Sequence, residues 1–307
     1  MNEIIRTENL CKYFGRLKAV DGISMNIKKG EIYGFLGLNG AGKTTTIRML
    51  LGMVKPTSGS AFLNGKRITS RNPDLWQNLG YLVEVPYSYP ELTVEENLEI
   101  IRRLRHLESR ESVDAIIDKL ELGQYRDVPS RNLSLGNSQR LGLAKAMIHN
   151  PDILLLDEPA NGLDPAGIAG IRNMLQDMAL NKGVTIFISS HILGEISRFA
   201  TRIGIIHEGH LILESDFQEL EKKRIKKVLV NTRDQKRARP VLEGKGYDTT
   251  LSHSGIIEIH NRKAIANPEN IATLLVDADL PPALLMVEEE DLESYFLRVT
   301  SMKGGLE

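Results

Sequence analysis

Short, wholly apolar runs alternate along this chain with segments whose apolar residues recur at three- and four-residue spacing, the pattern of an α/β domain with a buried sheet. The runs predict strands at 31–36, 80–83, 153–157, 184–189 and 202–206. Helical spacing begins at Thr44 and reaches Leu51. A second helix is predicted to start at Thr93, whose hydroxyl forms a capping box with Glu96 three residues on, and Leu98, Ile101 and Leu104 supply its apolar face. Further helices are expected near Ser138 and after Pro165, whose fixed φ suits a first helical position.

The charge-rich stretch from Glu219 to Arg224 reads as a boundary, and the pattern restarts beyond it. A strand is predicted at 226–231, a helix at 235–244, a β-hairpin from 247–251 and 255–259, and a helix opened by Asn267-Pro268 and running to Asp277. A strand at 284–287 and a helix at 289–299 complete the chain. This order resembles a small ferredoxin-like α/β sandwich. Two domains are therefore expected, 1–222 and 223–307, in keeping with a length of 307 residues.

Lys and Arg number 39 against 40 Asp and Glu, so no basic field points to a nucleic-acid partner. The one cysteine, Cys11, excludes a disulfide framework and a Cys-rich zinc site, and favours a reducing compartment. His253 and His260 are too sparse to mark a metal site. The N-terminal residues lack a targeting layout, and no run approaches the roughly eighteen apolar residues of a membrane span. A cytosolic protein is expected unless something carries it to a membrane.

The candidate chemistry begins at Gly37-Leu38-Asn39-Gly40-Ala41-Gly42-Lys43-Thr44-Thr45, which lies between a predicted strand and a predicted helix and fits the phosphate-binding P-loop. Its glycines let the backbone turn tightly, so that successive N–H groups and the positive helix end face a polyanion. Asn39, Gly40, Ala41, Gly42 and Thr45 would cradle ATP, Lys43 would reach the β- and γ-phosphates, and Thr44 would hold Mg²⁺. Ile153 to Leu156 form an apolar strand ending in Asp157 and Glu158 and resemble a Walker B strand. There Asp157 would hold the metal and Glu158 would polarise the attacking water.

Leu133-Ser134-Leu135-Gly136-Asn137-Ser138-Gln139-Arg140, shortly before that strand, resembles the signature motif of the ATP-binding cassette (ABC) family, usually Leu-Ser-Gly-Gly-Gln. The resemblance covers about residues 4–222 and implies a P-loop NTPase of ABC type with a helical subdomain, followed by the small C-terminal α/β domain. It implies that Ser134 and Gly136 bind the γ-phosphate held by an opposing subunit, so that two domains close head to tail. Leu135 and Asn137 depart from the common motif. Asn161-Gly162-Leu163-Asp164 resembles the family's D-loop, with Asp164 signalling across the dimer. His191, after Ser189-Ser190, takes the place of the switch histidine, and Phe14, with Tyr13 in reserve, that of the adenine-stacking ring.

Glu84 stands where the family has a glutamine linking metal and water to the membrane subunit. A carboxylate there adds charge beside Mg²⁺ and cannot donate when ionised. The stretch from Pro86 to Thr93 resembles the surface that grips a coupling helix of the permease. Glu84 and the Leu-Ser-Leu-Gly signature together resemble exporters of lantibiotics and bacitracin-type peptides. The function so implied is the ATP-hydrolysing subunit of a transporter that expels such a peptide. It would sit at the cytoplasmic face of the membrane through a separate transmembrane permease, paired as a homodimer or with another ATPase subunit. An ABC ATPase for a drug, ion or lipid, or a soluble ABC protein outside transport, are the alternatives; the absence of a second cassette or a Cys-rich insertion speaks against the latter.

Overall fold

The structure, a computed structural model, describes residues 3–298 apart from 70–72, 85, 197, 198, 253, 293 and 296. His253 and the last predicted helical residue, Val299, lie outside the described residues. The chain divides into two compact units, Met1–Gln218 and Glu219–Glu307.

The first unit runs β1 (Glu3–Phe14), β2 (Leu17–Lys28), β3 (Ile32–Leu36), α1 (Lys43–Leu50), β4 (Ser58–Leu63), β5 (Lys66–Arg67), β6 (Leu79–Leu82), α2 (Val94–Leu104), α3 (Glu111–Lys119), α4 (Leu135–Met147), β7 (Ile153–Asp157), α5 (Pro165–Lys182), β8 (Thr185–Ser190), α6 (Leu193–Ile196), β9 (Arg202–His207) and β10 (His210–Asp216). The strands form two sheets, ordered β10-β9-β3-β8-β7-β6 and β2-β1-β4-β5. Neighbours from β9 to β6 are parallel. The three central strands, β3, β8 and β7, are buried along their whole length, which is why they read as unbroken apolar runs.

α1 joins the two sheets into one core. Its Ile47, Met49 and Leu50 pack with Ile23 and Met25 of the antiparallel sheet and with Phe35, Leu155 and Phe187 of the parallel sheet. Phe187 stacks on Tyr33 at 5.6 Å between ring centroids. A rigid floor therefore lies under the loop that precedes α1. The helical part of the unit, α2 to α4, meets the sheet through two glycines that permit close approach. A Cβ on Gly80 of β6 would lie 2.0 Å from the Ala146 carbonyl, and one on Gly142 of α4 would lie 2.6 Å from the ring of Pro86.

The antiparallel sheet and β10 have no counterpart among the predicted strands. β1 and β2 pair with repeated register shifts, and each bulge breaks the period-two alternation by which a half-buried strand is recognised. The helix expected from Ser138 starts three residues earlier, at Leu135, because Ser134 caps it by accepting from the Asn137 N–H.

After α7 (Phe217–Lys223) come β11 (Lys226–Thr232), α8 (Gln235–Glu243), β12 (Thr249–Leu251), β13 (Ile257–Ile259), α9 (Arg262–Ala266), α10 (Glu269–Asp277) and β14 (Pro282–Glu289). The sheet order β12-β13-β11-β14, with every neighbouring pair antiparallel, is that of the ferredoxin-like sandwich. Val228, Val230, Ile257 and Ile259 face Ala238, Leu242, Ile271 and Leu275 in a separate core. α9 was not expected, and Glu289, expected to open the last helix, ends β14.

Candidate functional site

The loop from Gly37 to Gly42 leaves the end of β3 and enters α1. It is pinned on its inner side. The Ala41 carbonyl accepts from the Gly209 N–H at 3.0 Å, and a Cβ on Gly42, at φ 110°, would lie 2.4 Å from the Ala19 carbonyl. Gly40, at φ 82°, has open space where its side chain would stand. Asn39 is exposed and Thr45 half-buried. No side chain caps α1 at Gly42, and its first turn carries no acid, so the leading N–H groups remain available to an anion.

The start of α1 and the ends of β7 and β8 deliver the other groups. Lys43 is 5% exposed, and its Nζ donates to the Gly37 and Leu38 carbonyls at 2.7 and 3.1 Å while standing 3.2 Å from Glu158 Oε1. Thr44 Oγ1 donates to Asp157 Oδ2 at 2.7 Å, and Ser189 Oγ donates to Asp157 Oδ1 at 2.5 Å. The buried Asp157 carboxylate is thus held by a hydroxyl on each oxygen. Ser189 Oγ also accepts from the Glu158 N–H at 3.1 Å, which fixes the left-handed backbone of Glu158 at φ 49°. His191 Nδ1 lies 2.7 Å from Glu158 Oε2. Lys43, Thr44, Asp157, Glu158 and His191 are therefore brought together at the C-terminal ends of the central parallel strands.

Two members of this cluster carried no role in the sequence analysis. Ser189, beside the histidine at the end of β8, bonds both acids. Gln139 of α4, 3% exposed, donates to the Glu158 carbonyl at 3.3 Å and ties the signature helix to that residue. A polar residue closing an apolar strand, and a glutamine on the buried face of a helix, were the signals available.

Ser134, Gly136 and Asp164 gather elsewhere, with Asn137 and Gly162, around an open cavity of about 490 Å³. Leu135 packs so tightly there that a Cβ on Gly162 would lie 2.5 Å from it. Asp164 caps α5 by accepting from the Gly167 N–H at 3.0 Å. Phe14 is 51% exposed with Lys12 Nζ 4.9 Å above its ring, whereas the Tyr13 hydroxyl donates to Asp21 at 2.6 Å, which raises its pKa. Of the two rings, Phe14 is free to stack.

The structure does not bring Glu84 together with Thr44 and Asp157. Its carboxylate pairs with Arg48 of α1 at 2.5 Å, drawn there by a guanidinium that sequence analysis passed over. The segment after it forms a groove of about 570 Å³ walled by Tyr81, Tyr87, Tyr89, Ile101 and Leu104. Lys145 lies at this groove, donating to the Tyr87 carbonyl at 2.9 Å and to Ser88 Oγ at 2.8 Å, and burial pulls its ammonium down to about 8.

Thr44 Oγ1 and the Asp157 carboxylate are hard oxygen donors and fit Mg²⁺. No group of three or more His, Cys, Asp or Glu able to hold a metal occurs among the described residues, so phosphate and water oxygens would have to complete such a shell. Among the described residues no helix is long and apolar enough to cross a membrane.

The profile of the ABC transporter family matches residues 20–161. The chain is 38% identical over 301 residues to the bacitracin transport ATP-binding protein of Bacillus licheniformis, covering 97% of this chain and 98% of that protein. It is 38% identical over 218 residues to the lantibiotic transport ATP-binding protein of Streptococcus pyogenes, covering 71% of this chain and 93% of that protein. A solved dimeric bacterial ABC transporter cassette superposes with a TM-score of 0.65 at 25% identity, over 70% of this chain and 99% of that one. A nucleotide-free ATP-binding cassette from an ABC transporter gives 0.62 at 28% identity, over 72% and 94%.

Proposed function

The chain belongs to the ABC transporter family as an ATP-hydrolysing subunit, and from that premise we propose that it powers export of a lantibiotic or bacitracin-like peptide through a separate transmembrane permease. One observation carries the substrate: the likeness to the bacitracin transport protein spans 97% of the chain, through both compact units, not only the part with the phosphate loop. The site of action is then the cytoplasmic face of the cell membrane. The tyrosine-walled groove beside α4 is the surface offered to the permease.

In this reading adenine stacks on Phe14, and the N–H groups of residues 39–45 cradle the phosphates. Lys43 gives up the Gly37 and Leu38 carbonyls for the β- and γ-phosphates. Thr44 and Asp157 hold Mg²⁺, which when bound neutralises charge on the phosphate oxygens. Glu158 orients the attacking water and draws on its proton, and its carbonyl and N–H are fixed by Gln139 and Ser189. His191 is held by Glu158 through Nδ1, and Nε2, when it also carries a proton, would donate to the γ-phosphate. Ser134, Gly136 and Asp164, gathered away from these groups, serve the nucleotide of a second subunit, and two cassettes close head to tail.

Growth inhibition by bacitracin and by a lantibiotic should be measured in cells carrying the chain with its permease. Protection that requires both subunits is expected. Sensitivity equal to empty cells, with ATPase activity intact in the purified complex, would overturn the substrate while leaving the ATPase in place.

A further inference from the structure

Thr44 and Arg48 stand four residues apart in α1 and so share one face, about 6 Å apart along the axis. β6 pairs in parallel with β7, Leu82 opposite Leu156, so Glu84 leaves the sheet beside the strand end that carries Asp157. It does so in the left-handed region at φ 57°, which a glutamate adopts only when its surroundings hold it. Two places on this side of α1 can then compete for the carboxylate. One is Arg48, which it occupies at 2.5 Å. The other is the oxygen pair Thr44–Asp157, which would hold Mg²⁺.

The two stations differ in kind. Arg48 binds in the open, with 38% of its side chain and 55% of that of Glu84 exposed, so water screens the pair and it breaks readily. A divalent ion in the buried crevice is the stronger attractor for a carboxylate oxygen. We propose that Arg48 is a parking site for Glu84, holding the carboxylate off the Thr44–Asp157 pair until Mg²⁺ and ATP are bound. Arg48 is then a positioning residue that competes with the metal for one ligand. The inference rests on the assignment of Mg²⁺ to Thr44 and Asp157.

The test is the affinity of Mn²⁺, read by electron paramagnetic resonance, for the full chain saturated with a non-hydrolysable ATP analogue. Arg48→Gln should tighten Mn²⁺ about two- to fivefold, the range an exposed ion pair can hold back. Arg48→Lys, which keeps the charge, should return the affinity towards wild type. In a Glu84→Gln background Arg48→Gln should change nothing, since no carboxylate is left to park. Equal effects of Arg48→Gln with and without Glu84, or no tightening with Glu84 present, would overturn the proposal. Asp157→Asn separates the two levels. If it weakens Mn²⁺ while Arg48→Gln is inert, parking alone fails, and if it leaves Mn²⁺ unchanged the metal assignment fails with it.

Discussion

Glu158 is engaged twice before any nucleotide arrives, with Oε1 on Lys43 at 3.2 Å and Oε2 on His191 at 2.7 Å. Its carboxylate thus stands between the lysine and the histidine assigned to phosphate. Glu158→Gln should lower turnover about 10²-fold or more, through loss of the base. It should also tighten a non-hydrolysable ATP analogue by roughly tenfold, because a neutral amide no longer competes with phosphate for Lys43. Phosphate release and equilibrium binding measure the two effects; an unchanged affinity would show that the Lys43–Glu158 contact does not oppose the ligand. A second prediction concerns His149, whose pKa burial lowers to about 4, with Arg105 adding to the fall. Its Nδ1 is buried without a partner among the described residues. A base with a depressed folded pKa binds its proton more readily in the unfolded chain, so its contribution is whole above about 6.5 and is lost as pH falls through about 4. The shift corresponds to about 3 kcal/mol. Screening at a partly exposed ring reduces that to about 1–2 kcal/mol. His149→Gln should therefore melt less steeply than wild type with falling pH between about 6.5 and 4 in calorimetry, and parallel curves would refute the role.

At the scale of elements, Thr93 starts α2 with both halves of its capping box, accepting from the Glu96 N–H at 3.2 Å while its own N–H reaches Glu96 Oε2 at 2.8 Å. Thr93→Ala should cost about 1 kcal/mol and lower the melting temperature by about 2–4 °C, without altering ATP affinity. A loss of ATP binding of similar size would mean that α2 is coupled to the phosphate loop more directly than its position suggests. Caps are legible because they are local: Thr93 and Glu96, Ser134 and the Asn137 N–H, and Asp164 and the Gly167 N–H each meet within three residues. Ser134 nevertheless escaped notice as the cap of α4, since the signature places polar residues on both sides of the true start. The antiparallel sheet was harder to read. Its outer positions are polar, its register is bulged, and what makes β1 a strand is a pair of partners on either side, β2 and β4.

For the whole molecule, every group assigned to the nucleotide precedes Ile192, and the second unit closes a core of its own around Val228, Ile257 and Leu275. A chain ending at Lys223, the last residue of α7, should fold cooperatively and hydrolyse ATP at a rate close to that of the full chain. Calorimetry and phosphate release on the shortened chain are the check. A protein that aggregates wherever it is cut between 218 and 225 would show that the two units depend on one another for stability. Peptide protection in cells is a separate matter, because the likeness to the bacitracin transport protein continues through this second unit.

What the sequence alone determined follows from interactions that close within a few residues or along one buried strand. The glycine loop between an apolar strand and a helix, the paired acids ending 153–157, the cap at Thr93 and the βα order of the second unit all carry their cause in their own neighbourhood. Tertiary structure decided what each charged group faces. Thr44 meets Asp157 across 113 positions of sequence, and Glu158 meets His191 across 33. That Glu84 meets Arg48 depends on which strand lies beside β7 and which face α1 presents to it. Those pairings are settled by the order of strands in the sheet, since a side chain at a strand end chooses its partner from neighbours in space, and periodicity along the chain does not specify them.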